Sequence, residues 1–321
     1  MSNRTSRNYS AKRANPLRPG PRKLTLLLLI LAMLAAVGLT GLPGKHASSS
    51  RALAATPSVL ILSSTVSGGA SSVEAQAATA LGFTVDVVTP AQWATKTQAD
   101  FASYRALILG DATCTDVSAV TAAVANATVW GPAVNGNVII QGSDPVFHDG
   151  QGGHQFSNGA VKFAVDQVGK TGAYISLSCY YHDTAPFTPV PLLDAFSPGG
   201  FSVRGVGCYN NVHIVATHPP LTGITDATLS NWSCSVHEAF DRWPADFDVL
   251  AIARGIGSEV YTASDGTQGT PYILARGVTA ISDIRLNPVE ATNQVGTSHT
   301  LTATVTTDTP APGTPIVGTP V

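Results

Sequence analysis

Hydrophobic residues in this chain come in short unbroken blocks, and the blocks alternate with stretches in which small apolar residues recur at helical spacing. Residues 59–62 (VLIL) form one such block, closed by Ser63-Ser64-Thr65 and Gly68-Gly69. Residues 72–81 carry alanines, Val73 and Leu81 on one helical stripe, and Gly82 stops that helix. Residues 83–88 (FTVDVV) are rich in β-formers, a helix is expected around 99–104, and residues 106–109 (ALIL) are the next block, ending in Gly110-Asp111. The alternation continues with a helix near 116–127, a strand at 138–140 before Gly142-Ser143-Asp144-Pro145, a helix near 158–168 and a strand at 173–177 that runs into Ser178-Cys179-Tyr180-Tyr181. Continuous apolar strands separated by helices predict a parallel sheet covered on both faces. The reading is therefore an α/β domain over residues 58–282 with a doubly wound, mostly parallel sheet of the flavodoxin-like or amidotransferase-like kind. Beyond Tyr181 the pattern loosens: strands are expected at 213–216, 249–253 and 272–275, and the Pro- and Gly-rich residues 186–203 read as surface loop.

Two segments do not fit a globular pattern. Residues 24–42 (LTLLLLILAMLAAVGLTGL) contain no charge, and at 1.5 Å per residue they would span about 28 Å, one hydrocarbon core. Residues 1–23 hold all seven positive charges of the first 43 positions and no negative one, which orients that segment with its N-terminus in the cytoplasm. The expectation is a single-pass cell-membrane anchor with the C-terminal part outside, joined to the domain by a linker over residues 43–57. The alternative is a signal peptide cleaved near Ala54, after Ala52-Leu53, which would release a secreted protein. At the other end, residues 283–321 alternate with a period of two in HTLTATVT and finish in a Pro/Gly/Thr tail, so they predict two strands of an incomplete β-sandwich and a natural protein that continues.

Charge and cysteine count sharpen this placement. From Gly44 onward there are 11 basic and 20 acidic residues, so the exported part lacks the basic patch that nucleic acid requires. Outside the cytoplasm the four cysteines Cys114, Cys179, Cys208 and Cys234 are an even set that reads as disulfides, with three pairings open. No two have CxxC spacing, so no metal is assigned, and no cofactor is called for.

In a doubly wound sheet ligands bind beyond the carboxyl ends of the strands. The residues there are Asp111, Ser143 and Asp144 with His148, Tyr180 and Tyr181 with His182, and the later His237-Glu238 pair. Two chemistries compete for them. Cys179 as nucleophile, His237 as base and Glu238 or Asp144 as orienter would make a hydrolase; Cys179 in a disulfide would leave Asp111, Ser143, His148, Tyr180, Tyr181 and His182 as ligand-binding groups. Asp144 and His148 would share a helical face, with His154 following on a glycine-rich loop.

The strand order together with GNVIIQGSDP, GAYISLSCYY and SVHEAF resembles the class I glutamine amidotransferase-like superfamily, including its trehalose-utilisation-like branch, over residues 57–280. The segment LNPVEATNQVGTSHTLTATVT resembles the opening of a bacterial immunoglobulin-like module of the invasin type. The first resemblance implies a nucleophilic cysteine in a G-x-C-x-G elbow and a His-x-Glu pair. This chain has Gly142-Ser143-Asp144-Pro145 at the elbow, and its His237 and Glu238 are adjacent. The combined expectation is an exported modular surface protein whose degenerate amidotransferase-like domain binds a surface carbohydrate or protein, with an extracytoplasmic hydrolase acting on carbohydrate or peptide as the alternative.

Overall fold

The computed structural model describes residues 57–277 and the strand backbones Ile281–Asn287, Thr302–Thr307 and Thr314–Pro315. Five parallel strands form one side of the main sheet: β1 (Ser58–Leu62), β2 (Thr84–Val88), β3 (Ala106–Leu109), β4 (Val138–Gln141) and β5 (Gly172–Ser176), in the spatial order β2-β1-β3-β5-β4. After β5 come β6 (Thr188–Pro189), β7 (Ser202–Tyr209), β8 (Val212–Ile214), β9 (Val236–Arg242), β10 (Asp248–Ala253), β11 (Tyr261–Thr262) and β12 (Gln268–Arg276). Of these, β12, β10 and β8 extend the main sheet beyond β4 in antiparallel fashion, and β11 pairs with β12. The sheet is thus mixed and mostly parallel, as a doubly wound α/β reading requires, with an antiparallel extension the sequence pattern did not distinguish. Strands β6, β7 and β9 make a separate antiparallel sheet.

The apolar blocks are unbroken because both faces of these strands are covered. Val59, Ile61, Ala106, Ile108, Ile139 and Tyr174 face a core shared with helices α1 (Val73–Ala80) and, further along, Gly153–Val165. Leu60, Leu62, Leu107, Leu109, Ile140 and Ile175 face a second core. That core is closed by α2 (Pro90–Ala94), α3 (Gln98–Ala102), α4 (Thr121–Ala125) and α5 (Ala127–Trp130), which bring in Trp93, Phe101, Ala123 and Trp130. The long helix Gly153–Val165 is α6, and α7 is the single turn Asp226–Leu229. Alternate residues of each parallel strand therefore go to opposite hydrophobic layers, the pattern expected of a sheet with two buried faces.

Several local expectations change. The helix expected from 158 begins at Gly153, so His154 lies in its first turn and not on a loop. The glycines there serve close approach: Gly152 has φ of +118°, and a Cβ on Gly153 would collide with the Pro145 carbonyl. Residues 186–203 are not simply surface loop, since Val190, Leu192, Leu193, Phe201 and Val203 are buried in the second core. The helix expected at 116–127 is broken into a 3-10 turn and the short α4 and α5.

In the C-terminal region β13 (Ile281–Asn287) pairs antiparallel with β14 (Thr302–Thr307), and β14 with β15 (Thr314–Pro315). These two main strands are those expected; a sandwich is a further step. The segments 1–23 and 24–42 and the linker up to residue 56 lie outside the described residues. No helix among the described residues is long and apolar enough to cross a membrane.

Candidate functional site

The carboxyl ends of β1, β3, β4 and β5 converge on one buried polar node, and the loop after each strand contributes to it. After β3, Asp111 is fully buried; its Oδ1 accepts from the Thr113 N–H (2.9 Å) and the Ser178 hydroxyl (2.7 Å), and its Oδ2 from the Val146 N–H (2.8 Å). One carboxylate thereby ties the loops after β3, β4 and β5 together. Burial raises its pKa against these hydrogen bonds, and the nearby Asp144 adds to the rise.

Asp144 stands at the elbow after β4. A chain of buried hydrogen bonds fixes that elbow: Gln141 Nε2 donates to Ser176 Oγ (2.6 Å), which donates to the Ser143 carbonyl (2.9 Å), while the Ser143 hydroxyl donates to Gln141 Oε1. Asp144 Oδ1 lies 2.9 Å from His237 Nε2 and 3.3 Å from His148 Nε2. His237 Nδ1 donates to the Gly207 carbonyl at 2.7 Å. With one nitrogen committed as a donor and the other facing a carboxylate, the surroundings of His237 favour the imidazolium form. Burial, the largest single influence, pulls its pKa down, but the bond and charge of Asp144 and the Gly207 carbonyl outweigh it, and the pKa is raised.

His237 reaches this position because β9 docks on the main sheet. The His237 N–H donates to the Gly142 carbonyl (3.0 Å), and a Cβ on Gly142 would collide with the Glu238 carbonyl. His237 and Glu238 are therefore strand neighbours whose side chains point to opposite faces. Glu238 is fully buried with both carboxyl oxygens unpartnered, and burial, reinforced by Asp144, holds its pKa well above the carboxylate range. Burial thus favours its neutral form, and pointing to the opposite face it does not orient His237.

The sulfurs bear directly on the competition framed by the sequence. Cys179 is bonded to Cys114, and Cys208 to Cys234; no described cysteine is free. Cys179 Sγ sits 3.9 Å from Asp144 Oδ2, and being bonded to a second sulfur it has no hydrogen to donate. Cys179, His237 and Asp144 of the hydrolase scheme are thus gathered in one place without Glu238, but Cys179 is oxidised and His237 is paired with Asp144. Both sides of the disulfide have unusual backbone, with φ of +62° at Thr113, +61° at Cys114 and +53° at Ser178. Non-glycine residues adopt that region only where their surroundings enforce it.

The expected ligand-binding groups divide by exposure. Asp111, Ser143 and His148 are buried, and His148 stacks on Trp232 with ring centres 5.8 Å apart. Tyr180 and Tyr181 pack into the second core and present no open ring face. His182 is half-exposed on the surface turn, its Nδ1 donating to the Cys179 carbonyl (2.6 Å) and its Nε2 2.8 Å from Asp183. His154 pairs with Asp149 at the surface, away from Asp144.

Two residues of the node escape a strand-end reading. Phe147, two-thirds exposed, projects at the rim beside His148 with ring centres 5.1 Å apart. Glu74 comes from α1, capped at Ser72, whose side chain accepts from the Ala75 N–H. It is fully buried, accepts the Asp111 N–H on Oε1 (2.8 Å) and leaves Oε2 unpartnered. The one sequence signal was a lone acid in an alanine-rich helix.

Burial pushes the Glu74 pKa from 4.5 up to about 7, against the hydrogen bond from Asp111. The folded state therefore holds this proton more tightly than the unfolded chain, and the stability it contributes is full below 4.5 and lost as pH rises through 7. Glu74→Gln keeps an oxygen acceptor and cannot ionise. Its stability relative to the parent is expected to climb across that window and level off about 3 kcal/mol higher above pH 7. Urea unfolding at pH 5 and pH 8 checks this; an unchanged difference between the two would refute it.

The comparisons place no relative beside this geometry: no protein-family model, no curated protein and no solved structure matches the chain. The functional reading rests on the node itself.

Proposed function

We propose that this domain is a non-catalytic binding module of an exported, membrane-anchored surface protein, an amidotransferase-like fold whose nucleophilic machinery has been replaced by a structural lock. The carrying observation is that Cys179, whose sulfur lies with that of Cys114 beside the His237 imidazole at the strand ends, is consumed in a disulfide with Cys114. Support also comes from the uncharged segment 24–42 behind seven positive charges, and from the acidic balance of the remainder. On this reading the amidotransferase-like ancestry supplies the scaffold, and residues 283–321 begin an immunoglobulin-like spacer of the invasin type.

The contact surface lies over the node and not inside it. Phe147 offers an exposed ring and His182 a half-exposed imidazole at the same end of the sheet, groups suited to stacking on a sugar face or an apolar peptide side chain. The ligand class is a surface carbohydrate or protein. The rival hydrolase would use Asp144, Cys179, His237 and Glu238 on carbohydrate or peptide.

Incubating the oxidised full chain with defined soluble polysaccharides and peptides separates the two. The expected result is saturable binding without turnover, weakened at least tenfold by Phe147→Ala with no change in unfolding midpoint. Hydrolysis that disappears in Asp144→Asn or Cys179→Ser would overturn the reading, as would binding indifferent to Phe147.

A further inference from the structure

The disulfide hides a second set of chemistry. One ligand atom each from Cys114, Asp144, Cys179 and His237 all lie within 4.8 Å of one another. Around zinc, with bonds of about 2.3 Å to sulfur and 2.0–2.1 Å to nitrogen, tetrahedral ligands sit about 3.3–3.8 Å apart. Asp144 Oδ2 is already 3.9 Å from Cys179 Sγ, and Asp144 Oδ1 2.9 Å from His237 Nε2. We propose that opening the Cys114–Cys179 disulfide converts this end of the sheet into a four-ligand site for a divalent transition metal of the zinc class, held by two thiolates, the Asp144 carboxylate and His237 Nε2.

Three features support a site and not a chance meeting of side chains. The Nδ1–H of His237 is fixed on the Gly207 carbonyl, so Nε2 is the nitrogen that faces the cluster; a metal-bound histidine is oriented in just this way by its second nitrogen. The loops that carry the sulfurs are held in place independently of the disulfide, because the Ser178 hydroxyl bridges Asp111 Oδ1 and the Cys114 N–H (3.0 Å). Access is also provided: Cys114 is exposed while Asp144, Cys179 and His237 are buried. Two sulfurs, one imidazole and one carboxylate are a donor set that favours zinc or cobalt over calcium or magnesium.

The conversion balances with a dithiol as reductant. The dithiol passes two electrons to the Cys114–Cys179 bond and closes to its own disulfide, and its two thiol protons end on Cys114 and Cys179. The metal then displaces both thiol protons and the Nε2 proton of His237 to solvent as two metal–sulfur bonds and one metal–nitrogen bond form. Asp144 exchanges its hydrogen bond with His237 for a bond to the metal.

The test uses the full chain with Cys208→Ser and Cys234→Ser, which leaves only the two cysteines in question. Oxidised protein and protein reduced with a phosphine, then desalted without air, are titrated with Co²⁺ and with Zn²⁺. The expected result is no binding when oxidised. When reduced, one equivalent of cobalt should bind with thiolate charge-transfer and tetrahedral d–d absorption, zinc should bleach both, and His237→Ala and Asp144→Asn should each weaken affinity at least tenfold. If the reduced chain loses its circular dichroism, zinc is expected to restore it, since binding energy becomes folding energy. A folded reduced chain that takes up no metal, affinity indifferent to His237 and Asp144, or a melted reduced chain that zinc does not rescue would each overturn the proposal.

Discussion

Asp144→Asn is expected to cost about 3 kcal/mol of folding stability at pH 6, with a smaller cost at pH 9. The substitution keeps the shape of the side chain and removes the charge that His237 faces at 2.9 Å in a site where both groups are buried. Removing one member of a buried ion pair strands the other, and such losses run to about 3–5 kcal/mol. The lower end applies because Asp144 also raises the pKa of the nearby Asp111, so its charge disfavours that carboxylate and its removal returns part of the loss. The pH dependence follows from His237. Its folded pKa is raised, so the pair contributes in full below the unfolded histidine value of about 6.5 and fades as pH climbs through the folded value. Denaturant unfolding of parent and variant at the two pH values measures the gap; a gap that widens toward pH 9 would mean that His237 is not the partner.

The second large effect concerns the disulfides. Replacing Cys114 and Cys179 together by serine removes a cross-link between residues 65 apart in sequence, and the entropy returned to the unfolded chain corresponds to about 4 kcal/mol. The Cys208–Cys234 link spans 26 residues and is expected to contribute about 3.5 kcal/mol by the same argument. The nearer difference lies in the native state. Cys179 is buried against Asp144, whereas Cys208 is exposed and its surroundings are surface strand and turn. Loss of the first pair should therefore exceed loss of the second by more than the entropy difference alone. Equilibrium unfolding of the two double variants gives the order directly, and equal or reversed losses would contradict the central role given to the Cys114–Cys179 link.

Much of the framework could be read from the chain because the central strands are buried on both faces. VLIL, ALIL and VII have no polar position to obscure them, and they became β1, β3 and β4 within a residue of their expected ends. Strands β7 and β9 were missed for the opposite reason. SVRGVGCY and VHEAFDR place Arg204, His237 and Asp241 on strands, and these are tolerated only through partners far away in sequence. Arg204 pairs with Asp241 at 2.6 Å, and His237 with Asp144. Local periodicity carries no trace of such pairs. The short helix α2 was legible and overlooked: Thr89 and Gln92 form a reciprocal capping box with Pro90 in the first turn.

The same contrast holds at the node. Strand-end placement was enough to single out Asp111, Asp144 and Cys179, whereas His237, expected beyond a strand end, joins them from within β9. Which sulfur joins which depends on the spatial order β3-β5-β4, which sets the loop carrying Cys114 beside the turn carrying Cys179. That order is a property of the assembled sheet. Adjacent His237 and Glu238 lie on a strand and diverge to opposite faces, and the acid that reaches the node instead is Glu74 from α1. Tyr180 and Tyr181 illustrate a simpler limit: aromatic residues after a strand can fill a core or face a ligand, and here the second hydrophobic layer claims both.

Alkylation of the unreduced full chain in denaturant, followed by proteolysis and mass mapping, goes straight to the lock that the binding reading depends upon. The account predicts that no thiol takes the label and that Cys114 is recovered joined to Cys179, with Cys208 joined to Cys234. Recovery of an alkylated Cys179 would return a nucleophile to the side of His237 and would contradict it.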